Sequence, residues 1–240
     1  MLDNIQVVIL AGGKGSRLMP LTEKIPKSMV KINGVPFLEI ILRNLKSKGI
    51  NRIVLCVGYL SYVIEDYFHT GQKLNLKISY SHENQVLGTA GAIKNARKLL
   101  ENEFIVLNGD TFVEIDLEKF VKFSQHNNKI CTITGFKNHD NDKDFCNNLL
   151  IDKNYRVLKY TKDEKISEMD YVDAGVYYCK REIMNYFNNK VPISLEYDVF
   201  SKLIKDEQMI CFPIHKKFHD IGNLINMNKF KEFCQTIGLE

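Results

Sequence analysis

The chain has 240 residues, 45% of them hydrophobic, enough for one ordinary domain with a buried core. Lys and Arg number 33 against 29 Asp and Glu, and the resulting +4 is spread along the chain without a basic cluster, which argues against nucleic acid as a partner. The first apolar run, residues 6–10, is too short for a signal or membrane segment, and the six cysteines show neither a C-x-x-C pair nor zinc-finger spacing, so a cytoplasmic protein with reduced thiols and no membrane partner is expected.

Short β-branched runs bounded by turn residues predict strands at 7–10, 53–57, 78–80, 104–107, 130–133 and 176–178. Helical spacing lies between several of them. Residues 37–48 place Phe37, Ile40, Ile41 and Leu45 on one face, and 89–100 do the same with Ala92, Ile93, Ala96 and Leu99. Gly49 stands where a left-handed C-cap would end the first helix. Strand and helix thus alternate as in a doubly wound α/β sheet. Residues 138–170 differ, being rich in Asn, Asp and Lys, and are read as an insertion bordering the site with a hairpin near 149–151 and 156–158. The tail, 225–236, is helical in pattern, with Ile225, Met227, Phe230 and Phe233 as packing residues.

The first predicted strand runs into Leu10-Ala11-Gly12-Gly13-Lys14-Gly15-Ser16-Arg17. Glycines let a backbone adopt positive φ and bring its N–H groups close to phosphate oxygens, while Lys14 and Arg17 offset charge from the side. The order Gly-Lys-Gly-Ser fails the P-loop spacing. Leu18 takes the place of the third glycine in a dinucleotide fingerprint, which disfavours an NAD-dependent oxidoreductase.

Read onward through Leu18-Met19-Pro20-Leu21-Thr22, Pro26-Lys27-Ser28-Met29, residues 32–39 and Val57-Gly58-Tyr59, the chain resembles the sugar-1-phosphate nucleotidylyltransferases over nearly its whole first half. That resemblance implies a Rossmann-like three-layer α/β/α fold with a mixed, mainly parallel central sheet and a small inserted β-hairpin region. It also implies a single nucleotidyltransferase domain over 1–240, with 1–135 mainly nucleotide-binding and 136–240 mainly sugar-binding. In the family the glycine loop and its Arg hold the β- and γ-phosphates of an NTP, and the Lys after Pro approaches the reacting phosphates. Those roles fall to residues 10–17 and to Lys27, so Arg17, Lys27 and Asp110 are the expected catalytic residues.

Leu87-Gly88-Thr89-Ala90-Gly91 matches the segment lining the base pocket in the family, placing Gly88 and Thr89 there; read without the family, Thr89 is equally a helix cap. Glu83 lies near where related enzymes read the base edge. A carboxylate only accepts hydrogen bonds, and guanine offers two adjacent donors, N1–H and N2–H, so GTP is the expected nucleotide, with UTP, dTTP and CTP as alternatives. Residues 104–110 form a buried strand ending in Asp110, at the carboxyl edge where open α/β sheets place ligands, and its oxygen suits Mg²⁺. The family's aromatic-x-Asp-Ile-Gly element names Asp220, in 218–222, as the second metal ligand.

On the sugar side, Asp173-Ala174-Gly175-Val176-Tyr177 resembles the family's Asn-Ala-Gly-Ile-Tyr strand, with Asp in place of Asn. Lys162 is the nearest substitute for its phosphate-binding lysine, since 156–163 lack the usual Glu-Lys pair. Asn108, Gly109, Lys162, Asp173 and Gly175 are therefore expected at the sugar phosphate. Ser194-Leu195-Glu196-Tyr197-Asp198-Val199-Phe200 and the Asp-Ile-Gly element look closest to guanylyltransferases of mannose- or heptose-type 1-phosphates, with a homo-oligomer as a further possibility of the family. His219 is given no role, and Asp140-Asn141-Asp142 is read as a solvated loop. The rivals are a glycosyltransferase of similar fold, told apart by pyrophosphate release, and a non-catalytic nucleotide-sugar sensor, which would not need Lys27, Asp110 and Asp220.

Overall fold

The computed structural model describes residues 2–138, 142, 144–162, 164 and 166–238. The chain opens with strand β1 (Gln6–Leu10), passes through the glycine loop and a two-stranded ribbon of β2 (Lys31–Ile32) and β3 (Val35–Pro36), and enters helix α1 (Phe37–Ser47). Then follow β4 (Arg52–Val57), α2 (Ser61–Phe68), β5 (Lys77–His82), α3 (Thr89–Asn95) and β6 (Glu103–Asn108). β6, β1, β4 and β5 lie side by side and parallel, with Leu10 level with Cys56 on one flank and Asn108 on the other.

The second half turns the sheet mixed. A short strand β7 (Thr111–Phe112) and helix α4 (Leu117–Asn127) precede β8 (Cys131–Lys137). The expected hairpin forms as β9 (Leu149–Ile151) against β10 (Val157–Tyr160), and the long β11 (Tyr171–Lys180) runs antiparallel to both β6 and β8. Beyond it lie α5 (Phe200–Lys205), β12 (Met209–Ile214) parallel to β8, β13 (His219–Asp220) paired with β7, and α6 (Leu224–Thr236). Among the described residues, nine strands make one sheet.

Side-chain alternation along the strands divides the core into two layers, as period-2 geometry requires. Val7, Ile9, Leu55, Ile105 and Leu107 face α1, α4 and α6, whereas Val8, Val54, Phe104 and Val106 face α3 and α5. The predicted face of α1 is buried, and Gly49 after it has φ +88°. Two predicted faces need correction. α3 stops at Asn95 and a tighter 3₁₀ turn, Ala96–Lys98, follows; the extra rotation per residue puts Leu99 in solvent and Leu100 in the core. On α6 the buried stripe is Met227, Phe230 and Cys234, so Ile225 lies off it and is 68% exposed. All six cysteines are free, and no helix among the described residues is long and apolar enough to cross a membrane.

Candidate active site

A cleft of about 850 Å³ opens at the carboxyl ends of β1, β4 and β6. From β1 the chain steps outward to β4 and β5 and then returns to the other flank of β1 with β6, so the cleft sits at a topological switch point, where diverging connections leave room for a ligand. The backbones converge there closely. The Gly109 N–H donates to the Leu10 carbonyl at 3.0 Å, and a Cβ at Gly109 would lie 2.6 Å from that oxygen. A side chain at 109 would force the strand ends apart.

Residues 10–16 form one wall. Gly15 has φ +68°, and a Cβ there would lie 2.8 Å from the Cβ of Lys27, so glycine lets the loop fold onto that lysine. Thr22, fully buried, fastens the loop by donating its hydroxyl to the Gly15 carbonyl at 2.8 Å. Lys14 lies over the Tyr59 ring, Nζ 5.6 Å from its centroid, while the Tyr59 hydroxyl donates to the Glu23 carbonyl. Lys27 is buried on the floor and paired with Asp110 at 2.5 Å. Arg17 is exposed and stands outside the lining; its Nη2 lies 3.6 Å from the Cβ position of Gly222, beside the turn that bears Asp220.

Asp110 and Asp220, 110 residues apart in sequence, are brought together. β13 pairs with β7 so that Asp220 faces Thr111, and the Ile221 N–H donates to the Asp110 carbonyl at 2.9 Å. Asp220 accepts from the Gly222 N–H at 2.6 Å and from Asn226 Nδ2 at 2.7 Å. No group of three His, Cys, Asp or Glu able to hold a metal ion occurs among the described residues. Two carboxylates without nitrogen or sulfur ligands fit a hard cation that keeps water and takes phosphate oxygens, the habit of Mg²⁺. His219 stacks on Phe233 with centroids 4.1 Å apart, and burial lowers its pKa, in keeping with a packing position. Asp142 carries an ion pair to Lys217, while Asp140 and Asn141 lie outside the described residues.

Across the loop, Glu83 follows β5 and is held by its N–H to the Val57 carbonyl at 2.8 Å. Its carboxylate faces Gly12, where a Cβ would come within 2.8 Å of Oε1, and burial raises its pKa although the Leu87 N–H opposes the shift. Gly88, with φ +77°, caps α3, and any Cβ there would collide with the Ile193 carbonyl. Thr89 does not cap the helix with its side chain. Its hydroxyl donates to Glu196 Oε2 at 2.8 Å and accepts the Leu195 N–H at 2.7 Å.

Glu196 is the site residue that sequence reasoning passed over. It lies in a π-helical turn, Leu195–Val199, lines the cleft, and accepts from Thr89, from Ser194 Oγ at 2.7 Å and from Lys162 Nζ at 2.9 Å. Burial pushes its carboxyl up, but the Lys162 charge and the hydrogen bonds from Ser194 and Lys162 outweigh that and hold its pKa below the usual value. The segment 194–200 had drawn notice as a resemblance, yet nothing local told Glu196 from its neighbours.

Of the residues expected at the sugar phosphate, Lys162, Asn108 and Gly109 line the cleft, whereas Asp173 and Gly175 do not. Asp173 turns inward, accepting from Tyr177 Oη at 2.8 Å, Tyr160 Oη at 3.2 Å and the Gly175 N–H at 2.9 Å. Gly175, with φ +73°, packs behind Asn108, whose Nδ2 would be 2.8 Å from a Cβ at that position.

The nucleotidyl transferase family model matches residues 6–236. A D-glycero-α-D-manno-heptose 1-phosphate guanylyltransferase of Campylobacter jejuni is 39% identical over 80% of this chain and 83% of its own length. A mannose-1-phosphate guanylyltransferase of Mycobacterium tuberculosis is 32% identical over 84% of this chain, which spans 56% of that relative. Among solved structures, HddC from Yersinia pseudotuberculosis complexed with GMP-PN superposes with a TM-score of 0.80 at 33% identity, covering 95% of this chain and 99% of its own.

Proposed function

This chain belongs to the nucleotidyl transferase family, and on that premise we propose that it transfers GMP from GTP to a heptose- or mannose-type sugar 1-phosphate, giving a GDP-sugar and pyrophosphate. The observation that carries this reading is one cleft with the glycine loop and Lys27 at one end, Lys162 and Glu196 at the other, and the convergent carboxylates Asp110 and Asp220 beside Lys27. The activities named for the heptose and mannose relatives, and the GMP-PN in the Yersinia protein, favour guanine and those sugars. Glu83 agrees, since its carboxylate can accept from two adjacent N–H groups, a pattern that guanine has and that uracil, thymine and cytosine lack. In this reading residues 1–135 serve mainly the nucleotide and 136–240 mainly the sugar.

The reaction needs no enzyme nucleophile. A sugar-phosphate oxygen attacks the α-phosphorus of GTP in line, forming one P–O bond as the bond to the pyrophosphate oxygen breaks, and the work of the site is to align the two and offset charge. Main-chain N–H groups of residues 12–15, with Lys14, hold the departing pyrophosphate, and Arg17, outside the lining beside the Asp220 turn, adds positive charge from the rim. Lys27, fixed on the floor by Asp110, offers its ammonium to the α-phosphoryl oxygens. Lys162 steadies the incoming sugar phosphate, and its pairing with Glu196 keeps it at the cleft wall. A divalent cation, taken to be Mg²⁺, would be held by Asp110 and Asp220 and would supply charge neutralisation for the polyphosphate.

The test is pyrophosphate release with GTP, UTP, CTP or dTTP against heptose, mannose and glucose 1-phosphates. GTP with a heptose or mannose form is expected to give the highest kcat/KM. A higher value for another NTP overturns guanylyl transfer, and no release from any pair overturns the transferase reading.

A further inference from the structure

Behind the sugar end of the cleft lies a partly buried carboxylate that no step above uses. Asp173 sits where β11 shifts register against β8, between the pairs Asp173–Gly135 and Tyr177–Ile133. Its Oδ1 accepts the N–H of Gly175 two residues on, at 2.9 Å, which closes the bulge and sets the left-handed Gly175 against Asn108. Its Oδ2 accepts from Tyr177 on its own strand and from Tyr160 at the end of β10, two residues before Lys162. Both tyrosine rings pack on Phe200, with centroids 5.1 and 5.5 Å away, so the donors arrive from fixed directions. The backbone N–H of Asp173 is held in turn by Asn148 Oδ1 at 2.8 Å.

We infer that Asp173 is a positioning residue: acting from outside the cleft, its carboxylate ties the end of β10, which delivers Lys162, to the β11 bulge, which supports Asn108, and so fixes the spacing of the groups that receive the sugar phosphate. This rests on the sugar end proposed above. Lys162 is itself bonded to Glu196, and among the described residues Asp173 accepts hydroxyl and amide donors and bonds no cation. Its effect is geometric: three donors at set angles join, side chain to side chain, two chain segments that otherwise meet through Asn148, whose carbonyl accepts the Thr161 N–H and whose Oδ1 accepts the Asp173 N–H, and through shared packing on Phe200. A phosphate held between side chains from two such segments is sensitive to sub-ångström changes in their separation, whereas a nucleotide on the glycine loop of β1 is not.

The experiment is steady-state kinetics with both substrates varied, on wild type, Asp173→Ala, Asp173→Asn and Tyr160→Phe. Asp173→Ala is expected to raise KM for the sugar 1-phosphate about tenfold while KM for GTP stays within about twofold, since only the former depends on the tether. In Asp173→Asn the amide oxygen still takes the Gly175 N–H, and the hydroxyls can rotate to meet the amide NH₂, so the sugar KM is expected to return most of the way to wild type. Tyr160→Phe keeps the ring on Phe200 and removes one donor, so it should raise the same KM severalfold, and it carries the test if Asp173→Ala does not fold. A sugar KM unchanged in Tyr160→Phe, both KM values rising together, or Asp173→Asn as impaired as Asp173→Ala overturns the inference. Absence of pyrophosphate release in wild type would instead bring down the transferase reading beneath it.

Discussion

Where β1, β4 and β6 end, Gly109 brings main chain against main chain and Gly12 and Gly15 let side chains of Glu83 and Lys27 close on the loop, so the lining there is set by the sheet and by glycine backbone. Away from that loop the lining is made of side chains from three separate segments, Thr89, Lys162 and Glu196, held by a web that includes Ser194, while Asn108 closes β6 beside Gly109. Main-chain recognition is rigid and suits a moiety common to all nucleoside triphosphates. A side-chain web can be altered one residue at a time, which suits the part of the reaction where related enzymes differ. The same contrast holds for water exclusion, since the glycine loop is open and exposed at Gly13, Lys14 and Ser16 while Glu196 is nearly buried.

The sharpest probe of this division is Lys27, a side chain that lies against the glycine loop at Gly15 and is fixed by Asp110. Lys27→Ala is expected to lower kcat by about 10²-fold or more with smaller changes in either KM, as removal of one fixed electrostatic donor does. A near-normal kcat would sink its assigned role. Next in size is Glu83, the one side chain proposed to read the base at an otherwise backbone-built end. Glu83→Gln should reduce kcat/KM for GTP by about 10- to 10²-fold, the range for losing a charged hydrogen bond. It should also narrow the margin over UTP and dTTP, because an amide offers the donor and acceptor those bases match. If GTP use is untouched, base recognition there is main-chain as well, and the two ends differ even more than described.

The same division governs what could be read in the sequence. Residues 7–10 announce a strand, the glycines announce a close turn, and strand-end Asp110 announces a ligand edge, because each is a local consequence of backbone sterics and sheet geometry. Convergence of Asp110 and Asp220 came through resemblance alone, since nothing in either neighbourhood encodes the β7–β13 pairing. Glu196 escaped because its burial depends on Thr89 and Lys162, 107 and 34 residues away. Asp173 was expected to face the sugar, yet the tyrosines at 160 and 177 draw it inward, a choice that lies in tertiary packing. Helix α4 is a different case. Its Asp116 cap, which accepts the Lys119 N–H at 3.0 Å, and its buried Leu117, Phe120, Val121 and Ser124 were legible by spacing and went unread.

The smallest expected effect concerns the intrinsic cost of building the proposed sugar end on a partly buried acid. Burial pushes the Asp173 pKa from the ordinary 3.8 up to about 6, against the pull of the Gly175 N–H, Tyr177 and Lys162. A folded-state pKa above the unfolded value means that the native state binds the proton more tightly. Its stabilising contribution is therefore complete below about pH 4 and is lost as pH rises through about 6. At pH 7 the fold carries an ionised, partly desolvated carboxylate, so Asp173→Asn should be more stable than wild type by about 1–2 kcal/mol, with the gap closing as pH falls toward 4. The groups that bear on Asp173 do not disturb that window: Tyr160, Tyr177, Cys131 and Cys211 have pKa values raised far above it, Lys162 supplies a charge that holds the acid ionised, and Glu196 is driven below its ordinary value. Denaturant unfolding of both proteins across pH 4–7 reads the gap directly. A difference that does not change with pH, or one that favours wild type at pH 7, would show that the tyrosine hydroxyls and the Gly175 N–H compensate the buried charge fully, and that the sugar end is built without the penalty inferred from its burial.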